Sequence, residues 1–259
     1  MNRPHLCSAI FSVLLLFSTM ASSNETSIRL AAEDSWPPFA DAAGEGLSHR
    51  LIAKAFALEN IAFDTLVVPY NRGLILTEQG KVNAVFNVAM QHNTRERFLF
   101  GQEPLFVATA SFYQLRRKAP LAADKWSLPK GTRVGIVRGY EYGDEFEKLP
   151  NMVLKIVDNQ YQLINLLLTD KVDAVVMYDR VAAQFLGTMG VQGEVRAVIA
   201  NHSSELFLAF DRKNPSSPAL AGALDKGLRQ LKASGEYHSL IAGIATASRG
   251  LRKTAGGVN

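Results

Sequence analysis

The sequence contains one cysteine, Cys7, in 259 residues. Cys7 lies in an apolar N-terminal segment that has the features of a cleavable leader, so the remaining chain would have neither a disulfide nor thiol chemistry. Long hydrophobic runs are also scarce, because no stretch beyond residue 23 reaches the length of about 20 apolar residues that a membrane-spanning helix needs. We therefore expect a soluble, exported protein.

Recognisable catalytic motifs are missing as well. The sequence has no Gly-x-Ser-x-Gly turn, no phosphate-binding loop of the Walker type and no His-Glu-x-x-His pair. Its five histidines are not spaced as metal ligands. The formal net charge of +4 is too small and too dispersed for nucleic-acid binding. We expect a protein that is not an enzyme, has no cofactor or metal and does not bind nucleic acid.

Residues 1–23 resemble a secretory signal peptide. Arg3 and His5 precede an apolar core from Ala9 to Phe17, and small residues suited to a signal peptidase follow. This pattern predicts a periplasmic protein. At the other end of the chain, residues 249–259 are predicted to form a flexible tail.

Strand-like and helix-like segments alternate from Ile28 onward, which predicts an α/β fold with mainly parallel sheets. Two such series are separated by the polar segment 116–130. We therefore expect two lobes joined by long strands. Lobe 1 would be discontinuous (24–112 and 206–248), and lobe 2 would comprise 113–205. At a finer level the pattern predicts a helix near Gly143 to Lys148, a separate strand from Leu206 to Phe210 and a helix cap at Ser48.

The segment from Lys81 to Phe106 carries the main candidate for ligand binding. Ala84 to Val88 predicts a strand buried on both faces, and a polar turn follows at its carboxyl end, where open α/β sheets bind ligands. Thr94 is predicted to cap a short helical turn that contains Arg97. Arg97 could hold a carboxylate, or it could be a surface arginine paired with a nearby glutamate.

Several short motifs in a fixed order resemble the family-3 bacterial extracellular solute-binding proteins. The similarity covers about Ile28 to Ile244 and implies two α/β lobes joined by two hinge strands, which close on a small ligand. It also implies a monomer that serves a membrane permease of the ABC type or a membrane sensor. The motifs are Trp36-Pro37-Pro38-Phe39, Gly46-Leu47, Gly80-Lys81-Val82-Asn83-Ala84, Thr94-Arg95-Glu96-Arg97, Pro104-Leu105-Phe106, Asp173-Ala174-Val175-Val176 and Leu231-Lys232-Ala233-Ser234-Gly235-Glu236-Tyr237.

The resemblance implies roles for residues of lobe 1. Arg97 matches the arginine that grips a ligand carboxylate with its planar guanidinium. Trp36 and Tyr70 match aromatic residues that flank the ligand, although aromatic residues at such positions also serve as core packing. Glu33 could face the cleft and hold a cation, or lie at an exposed loop edge. Arg72 could supply a second positive contact, or be solvated.

In lobe 2, Arg138 and Tyr140 flank Gly139 after a strand, where free backbone N–H groups attract anions; a tight turn without a ligand is the alternative. Tyr178 stands where amino-acid-binding members usually carry an aspartate for the ligand's amino group. His92 stands where small hydroxyl residues usually help to bind the carboxylate. The resemblance therefore implies a carboxylate-bearing ligand, an amino acid or related organic acid, whose other groups are not specified by the sequence.

Overall fold

A computed structural model describes residues 28–243 of the chain. The predicted signal peptide and the predicted tail lie outside the described residues. Within this range no helix is long and apolar enough to cross a lipid bilayer.

The strands form one nine-stranded sheet and one small two-stranded ribbon. The ribbon, β2 with β3, is antiparallel and holds Trp36 opposite Ala40. The strands are β1 (Ile28–Glu33), β2 (Ser35–Trp36), β3 (Ala40–Asp41), β4 (Phe63–Val68), β5 (Ala84–Ala89), β6 (Phe98–Phe100), β7 (Phe106–Leu115), β8 (Thr132–Val137), β9 (Met152–Val157), β10 (Ala174–Tyr178) and β11 (Val195–Asp211).

Six helices pack around the sheet, and residues 236–243 are also helical. The apolar residues that recur at helical spacing in α1 are buried, as the sequence pattern predicts. The helices are α1 (Leu47–Leu58), α2 (Tyr70–Glu78), α3 (His92–Arg97), α4 (Gln160–Leu168), α5 (Asp179–Thr188) and α6 (Ser217–Ala233).

The order of strands confirms the predicted two-lobed α/β fold. The main path through the sheet runs β4-β1-β5-β11-β7-β10-β8-β9. Pairing is parallel within β4-β1-β5 and within β10-β8-β9, whereas β11 and β7 pair antiparallel with their neighbours. The long strands β7 and β11 therefore connect two mainly parallel sheets. Because both hinge strands are hydrogen-bonded to each other, the chain passes between the lobes through ordered backbone.

One local prediction was wrong and another was incomplete, for identifiable reasons. The expected helix near Gly143 to Lys148 is only a short 3-10 turn at Phe146–Lys148. Gly143 has φ +92, which excludes it from a right-handed helix. Pro150 disfavours helical geometry at the residue before it. The predicted strand from Leu206 to Phe210 is the end of the 17-residue β11, which the sequence pattern did not reveal.

Two predicted caps were also wrong. Helix α1 has Gly46 as its N-cap residue, while Ser48 is buried and its hydroxyl hydrogen-bonds the Asn87 side chain at 2.5 Å. Helix α3 starts at His92 with Gln91 as N-cap residue, so Thr94 is the third residue of that helix. The Thr94 hydroxyl accepts a bond from the Gln91 backbone N–H at 3.0 Å, which closes a capping box.

Candidate functional site

The site lies where the ends of elements from both lobes meet. Lobe 1 contributes Glu33 from the end of β1 and Tyr70 from the start of α2. Lobe 2 contributes Tyr140 and Glu141 from the loop after β8, and Tyr178 from the end of β10. The carboxyl ends of parallel strands collect side chains at one edge of each sheet, and closure brings the two edges together. We call these five residues the cleft cluster.

Glu141 lies at the centre of the cleft cluster. Its side chain reaches lobe 1, where the Tyr70 hydroxyl donates a hydrogen bond of 2.7 Å to its carboxylate. The Tyr178 hydroxyl donates to the backbone carbonyl of Glu141 at 2.8 Å. Glu141 is only 5% exposed. A carboxylate on lobe 2 is therefore inserted between the lobes and bonded to Tyr70, while Tyr178 holds the backbone of the same residue.

Glu33 makes a second contact across the cleft in the opposite direction. Its carboxylate accepts a short hydrogen bond from the Tyr140 hydroxyl, and it is 3% exposed. The rings of Tyr70 and Tyr140 meet edge to face, with 5.2 Å between centroids. Each lobe thus supplies one buried carboxylate and one tyrosine, and each tyrosine bonds the other lobe's carboxylate.

Both buried carboxylates resist ionisation. Burial, the largest cause, raises the pKa of Glu141 to about 7, despite opposing effects of the Tyr70 hydroxyl, the Ala89 backbone amide and the Arg97 guanidinium. Burial also raises the pKa of Glu33 well above its ordinary value, and the charge of Glu141 raises it further. The two groups therefore interact electrostatically, and a cation between them would favour ionisation of both.

Trp36 lies outside the five residues of the cleft cluster and forms an aromatic wall with Tyr178. Their rings meet edge to face at 5.1 Å, and Trp36 also packs on Phe39 at 4.7 Å. Trp36 is 2% exposed, and its indole N–H has no hydrogen-bond partner among residues 28–243. The sequence left open whether Trp36 and Tyr70 serve the core or the ligand. In the structure both are buried at the junction of the lobes.

His202 of β11 lies behind Tyr178, with its Nε2 atom 3.4 Å from the Tyr178 hydroxyl. Burial, followed by the charge of Lys125, lowers the pKa of His202 to about 4. The imidazole is therefore neutral near pH 7 and adds no positive charge behind the two carboxylates.

Further contacts close the lobes beside the cleft cluster. The His92 backbone N–H donates to Asp144 at 2.8 Å, and the Gly143 backbone N–H donates to Gln91 at 3.1 Å. The His92 side chain is 82% exposed and lies 3.5 Å from Glu96, so its ring is directed away from the cleft cluster. His92 therefore reaches the other lobe through its backbone amide.

Arg97, the predicted carboxylate contact, is paired with an acidic side chain of lobe 1. Its Nε atom donates to Glu78 at 2.6 Å, and both side chains are about one-third exposed. This hydrogen bond is the largest cause that raises the pKa of Arg97; Glu141 also contributes through its charge. Arg97 is thus near enough to influence Glu141, but its ion pair within the described chain is with Glu78.

A cavity of about 550 Å³ adjoins the cleft cluster. Glu33, Tyr70 and Tyr140 form part of its lining, as do Arg72 from α2 and Arg138 from the loop after β8. Arg138 pairs with Asp158 at 2.9 Å. The cavity therefore contacts both carboxylate and guanidinium groups, and its volume is in the range of small-molecule sites.

Sequence reasoning missed Glu141. The signal was present, because Glu141 follows Gly139 by two residues in a loop that was already singled out for anion binding. Gly139 has φ +80, and a Cβ there would lie 2.9 Å from the Asn71 Oδ1 atom of lobe 1. The loop is thus pressed against lobe 1, and its next side chains enter the cleft. Within the described range no group of three or more possible metal ligands is present.

Comparison with solved structures shows the same fold in other proteins. A mutant of ArgBP from T. maritima superposes with a TM-score of 0.73 at 17% identity, covering 85% of this chain and 95% of that one. A histidine kinase sensor domain with similarity to periplasmic binding proteins gives 0.72 at 16% identity, covering 83% and 94%. The amino acid ABC transporter substrate-binding protein AbpA from Streptococcus pneumoniae, bound to L-arginine, gives 0.69 at 20% identity, covering 86% and 95%.

No protein-family model matches the chain, and no curated protein matches its sequence. At identities this low, structural similarity establishes the fold and leaves the ligand open. The chain therefore has the two-lobed fold of periplasmic binding proteins, with two buried carboxylates at the junction of its lobes.

Proposed function

We propose that this protein is a periplasmic solute-binding receptor that captures one small molecule by closing its two lobes. The observation that carries the proposal is the reciprocal pair of side-chain contacts across the cleft, Tyr70 with Glu141 and Tyr140 with Glu33. These contacts need both lobes in place. A ligand that exchanges bonds with these groups would shift the balance between open and closed forms.

The proposed division of the chain follows the hinge strands. Lobe 1 comprises residues 24–112 and 206–248, lobe 2 comprises residues 113–205, and a signal peptide at 1–23 directs export. The receptor would act as a monomer without catalysis. The buried groups of the cleft cluster are carboxyls and phenols that hydrogen-bond each other. Pairing of this kind suits reversible binding.

Two ligand classes are open to this cleft. The first is the carboxylate-bearing solute that the sequence resemblance implies, an amino acid or related organic acid held by Arg97. In that case the Arg97 guanidinium must bind both the ligand carboxylate and Glu78, which accepts its Nε–H. The second is an organic cation held by the buried carboxylates Glu33 and Glu141. The remaining proposed contacts, with Arg72, Arg138 and Tyr140, line the adjoining cavity in both cases.

The closed receptor would deliver its ligand to an ABC-type membrane transporter. A second candidate output is signalling, in which a membrane sensor reads the closed form. The similarity of the fold to a histidine kinase sensor domain favours keeping this candidate. Neighbouring genes discriminate between them: a permease and an ATPase favour uptake, whereas a membrane kinase or cyclic-nucleotide synthase favours sensing.

A thermal-shift screen of the mature protein tests the receptor proposal. The panel would contain amino acids, organic acids, amines and short peptides, since a ligand that binds the folded state raises its melting temperature. Small-angle scattering with and without each hit would then measure lobe closure. Hits that leave the scattering profile unchanged, or a panel without any hit, would contradict the proposal.

A further inference from the structure

The two buried carboxylates of the cleft cluster have neutral partners. Glu33 and Glu141 each accept a hydrogen bond from a tyrosine hydroxyl, and neither has an ion-pair partner within the described range. Buried carboxylates are costly when unpaired, and most are compensated by a cation. Arg97 lowers the pKa of Glu141 through its charge but is already paired with Glu78, which suggests that a ligand supplies the compensating cation.

The position of Glu141 bears on which ligands can enter. The charges of Arg97 and Glu141 influence each other's pKa, so a ligand carboxylate held by Arg97 would also lie near Glu141. The Arg97 charge is already compensated by Glu78 at 2.6 Å. A ligand carboxylate entering this region would meet the Glu141 carboxylate, and like charges at close range in a buried site repel strongly.

The aromatic side chains favour a positively charged ligand, as the two carboxylates do. Tyr70 and Tyr140 stand edge to face at 5.2 Å beside Glu33 and Glu141, and Trp36 lies against Tyr178. Faces of aromatic rings attract cations, and attraction increases when the cation is desolvated. The adjoining cavity of about 550 Å³ is lined by Glu33, Tyr70 and Tyr140 and also by Arg72 and Arg138, so it can accommodate an aliphatic chain whose cationic end lies at Glu33.

We propose that the cleft selects a small organic cation that has no carboxylate, an aliphatic amine or guanidine, and that Glu141 excludes the corresponding amino acids. The ligand's N–H groups would replace the tyrosine hydroxyls as partners of Glu33 and Glu141 when the lobes close on it. This inference rests on the proposed receptor function and names its ligand class.

Matched pairs of compounds that differ by one carboxylate provide the test. Isothermal titration at pH 8 would compare agmatine with L-arginine, cadaverine with L-lysine, and putrescine with L-ornithine. We expect at least one amine to bind the wild-type protein at least tenfold more tightly than its amino acid. Equal or tighter binding of the amino acid in every pair, or no binding by any of the three amines, would overturn the inference.

Substitutions test whether Glu141 causes the preference for amines over amino acids. Glu141→Gln keeps the side-chain shape and an acceptor for Tyr70, and we expect it to weaken amine binding at least tenfold. Glu141→Ala removes the repulsion and is expected to narrow or reverse the preference for the amine. Glu145→Gln is the matched control, because Glu145 lies four residues away in the same loop with 60% of its side chain exposed. If Glu145→Gln changes selectivity as much as Glu141→Gln, the inference fails.

Failure of this inference differs from failure of the receptor proposal. A panel in which only amino acids or organic acids close the lobes would support the receptor and reject a carboxylate-free ligand. The absence of any hit in the wider panel would reject both.

Discussion

The hydroxyl of Tyr70 donates a 2.7 Å hydrogen bond to the carboxylate of Glu141 in the other lobe. The two residues are 71 positions apart in the sequence, and both are buried. Tyr70 starts helix α2, whereas Glu141 lies in a loop that the shortened helical segment after β8 leaves free to enter the cleft. A single contact thus links the closure of the lobes to the ionisation of a buried carboxyl group.

We predict that Tyr70→Phe destabilises the closed, ligand-free protein by about 1–3 kcal/mol, the usual result of leaving a buried polar group unpaired. It also removes a hydrogen bond that favours the charged form of Glu141, so the pKa of Glu141 should rise further. Urea unfolding at pH 7 measures the stability change. Tyr161→Phe is the control, because that side chain is 49% exposed. Equal effects of the two variants would contradict the assigned role of Tyr70.

The raised pKa of Glu141 predicts how stability depends on pH. The folded-state pKa is about 7 and the ordinary value is 4.5, so the folded state binds more protons between these limits. Stability of the ligand-free protein should therefore fall as pH rises from about 4.5 to 7, by on the order of 3 kcal/mol from this group. Unfolding free energies at intervals of one pH unit measure the slope.

Glu141→Gln should remove the contribution of this group and make the slope shallower, and the part that remains should come largely from Glu33, whose pKa is raised well above its ordinary value. Glu145→Gln, on the exposed part of the same loop, should retain the wild-type slope. A Glu141→Gln variant whose stability still falls as steeply as that of the wild type would show that another group dominates the titration.

Amine binding should release protons. An ammonium or guanidinium group placed beside Glu141 stabilises its charged form, so at pH 6.5 up to one proton should leave Glu141 per amine bound, and Glu33 can release a second. For Glu141 alone, affinity should increase by at most about tenfold per pH unit below pH 7 and level off above it. Titration calorimetry in two buffers of different ionisation enthalpy counts the protons. Affinity for cadaverine or agmatine that is independent of pH from 5.5 to 8 would contradict this prediction.

Arg97→Ala separates the two ligand classes. For a carboxylate-bearing ligand held by Arg97, the substitution should cost about 2–5 kcal/mol of binding free energy, the range for removing one partner of a buried charge pair. For a carboxylate-free amine at pH 8, the loss of a nearby positive charge should leave the affinity equal to or higher than that of the wild-type protein. Arg95→Ala on the exposed side of α3 is the control. Calorimetry of both variants with each panel hit distinguishes the outcomes.

Gly139→Ala should favour the open form. A Cβ at Gly139 would lie 2.9 Å from Asn71 Oδ1 and 3.2 Å from Asn71 Cβ, so the Asn71 side chain, which belongs to lobe 1, must move. Gly131→Ala is matched in backbone strain, because Gly131 has φ +82 and nothing within 4 Å of its Cβ position. Both variants should lose about 1 kcal/mol of stability. Only Gly139→Ala should increase the radius of gyration in scattering experiments.

Much of the fold could be predicted from the sequence because its signals are local. Ala84 to Val88 formed the expected buried strand, and Asp179 to Thr188 the expected helix, since apolar periodicity is decided within a few residues. The long β11 was only partly predicted. Its first half pairs with β7 across the hinge, and polar residues such as Asn201 and Ser203 there do not resemble a buried strand.

The candidate site was predicted in part. The structure places Glu33, Trp36, Tyr70, Tyr140 and Tyr178 together at the lobe junction. Their use by a ligand stays a prediction. Arg97 pairs with Glu78, and the His92 ring is exposed. Such pairing cannot be read from spacing, because an arginine at the carboxyl end of a strand can turn to any acid within reach.

By itself the sequence determined an α/β chain of two series with long connecting strands, because alternating apolar patterns act over short distances. It also determined which aromatic and charged residues stand at strand ends. Only the tertiary structure decided that Glu141 enters the cleft, that the Tyr70 hydroxyl donates a hydrogen bond to it and that Arg97 pairs with Glu78. Those outcomes depend on how the two lobes approach each other, because the residues that meet there are far apart in sequence, as Glu33 and Tyr140 are at 107 positions.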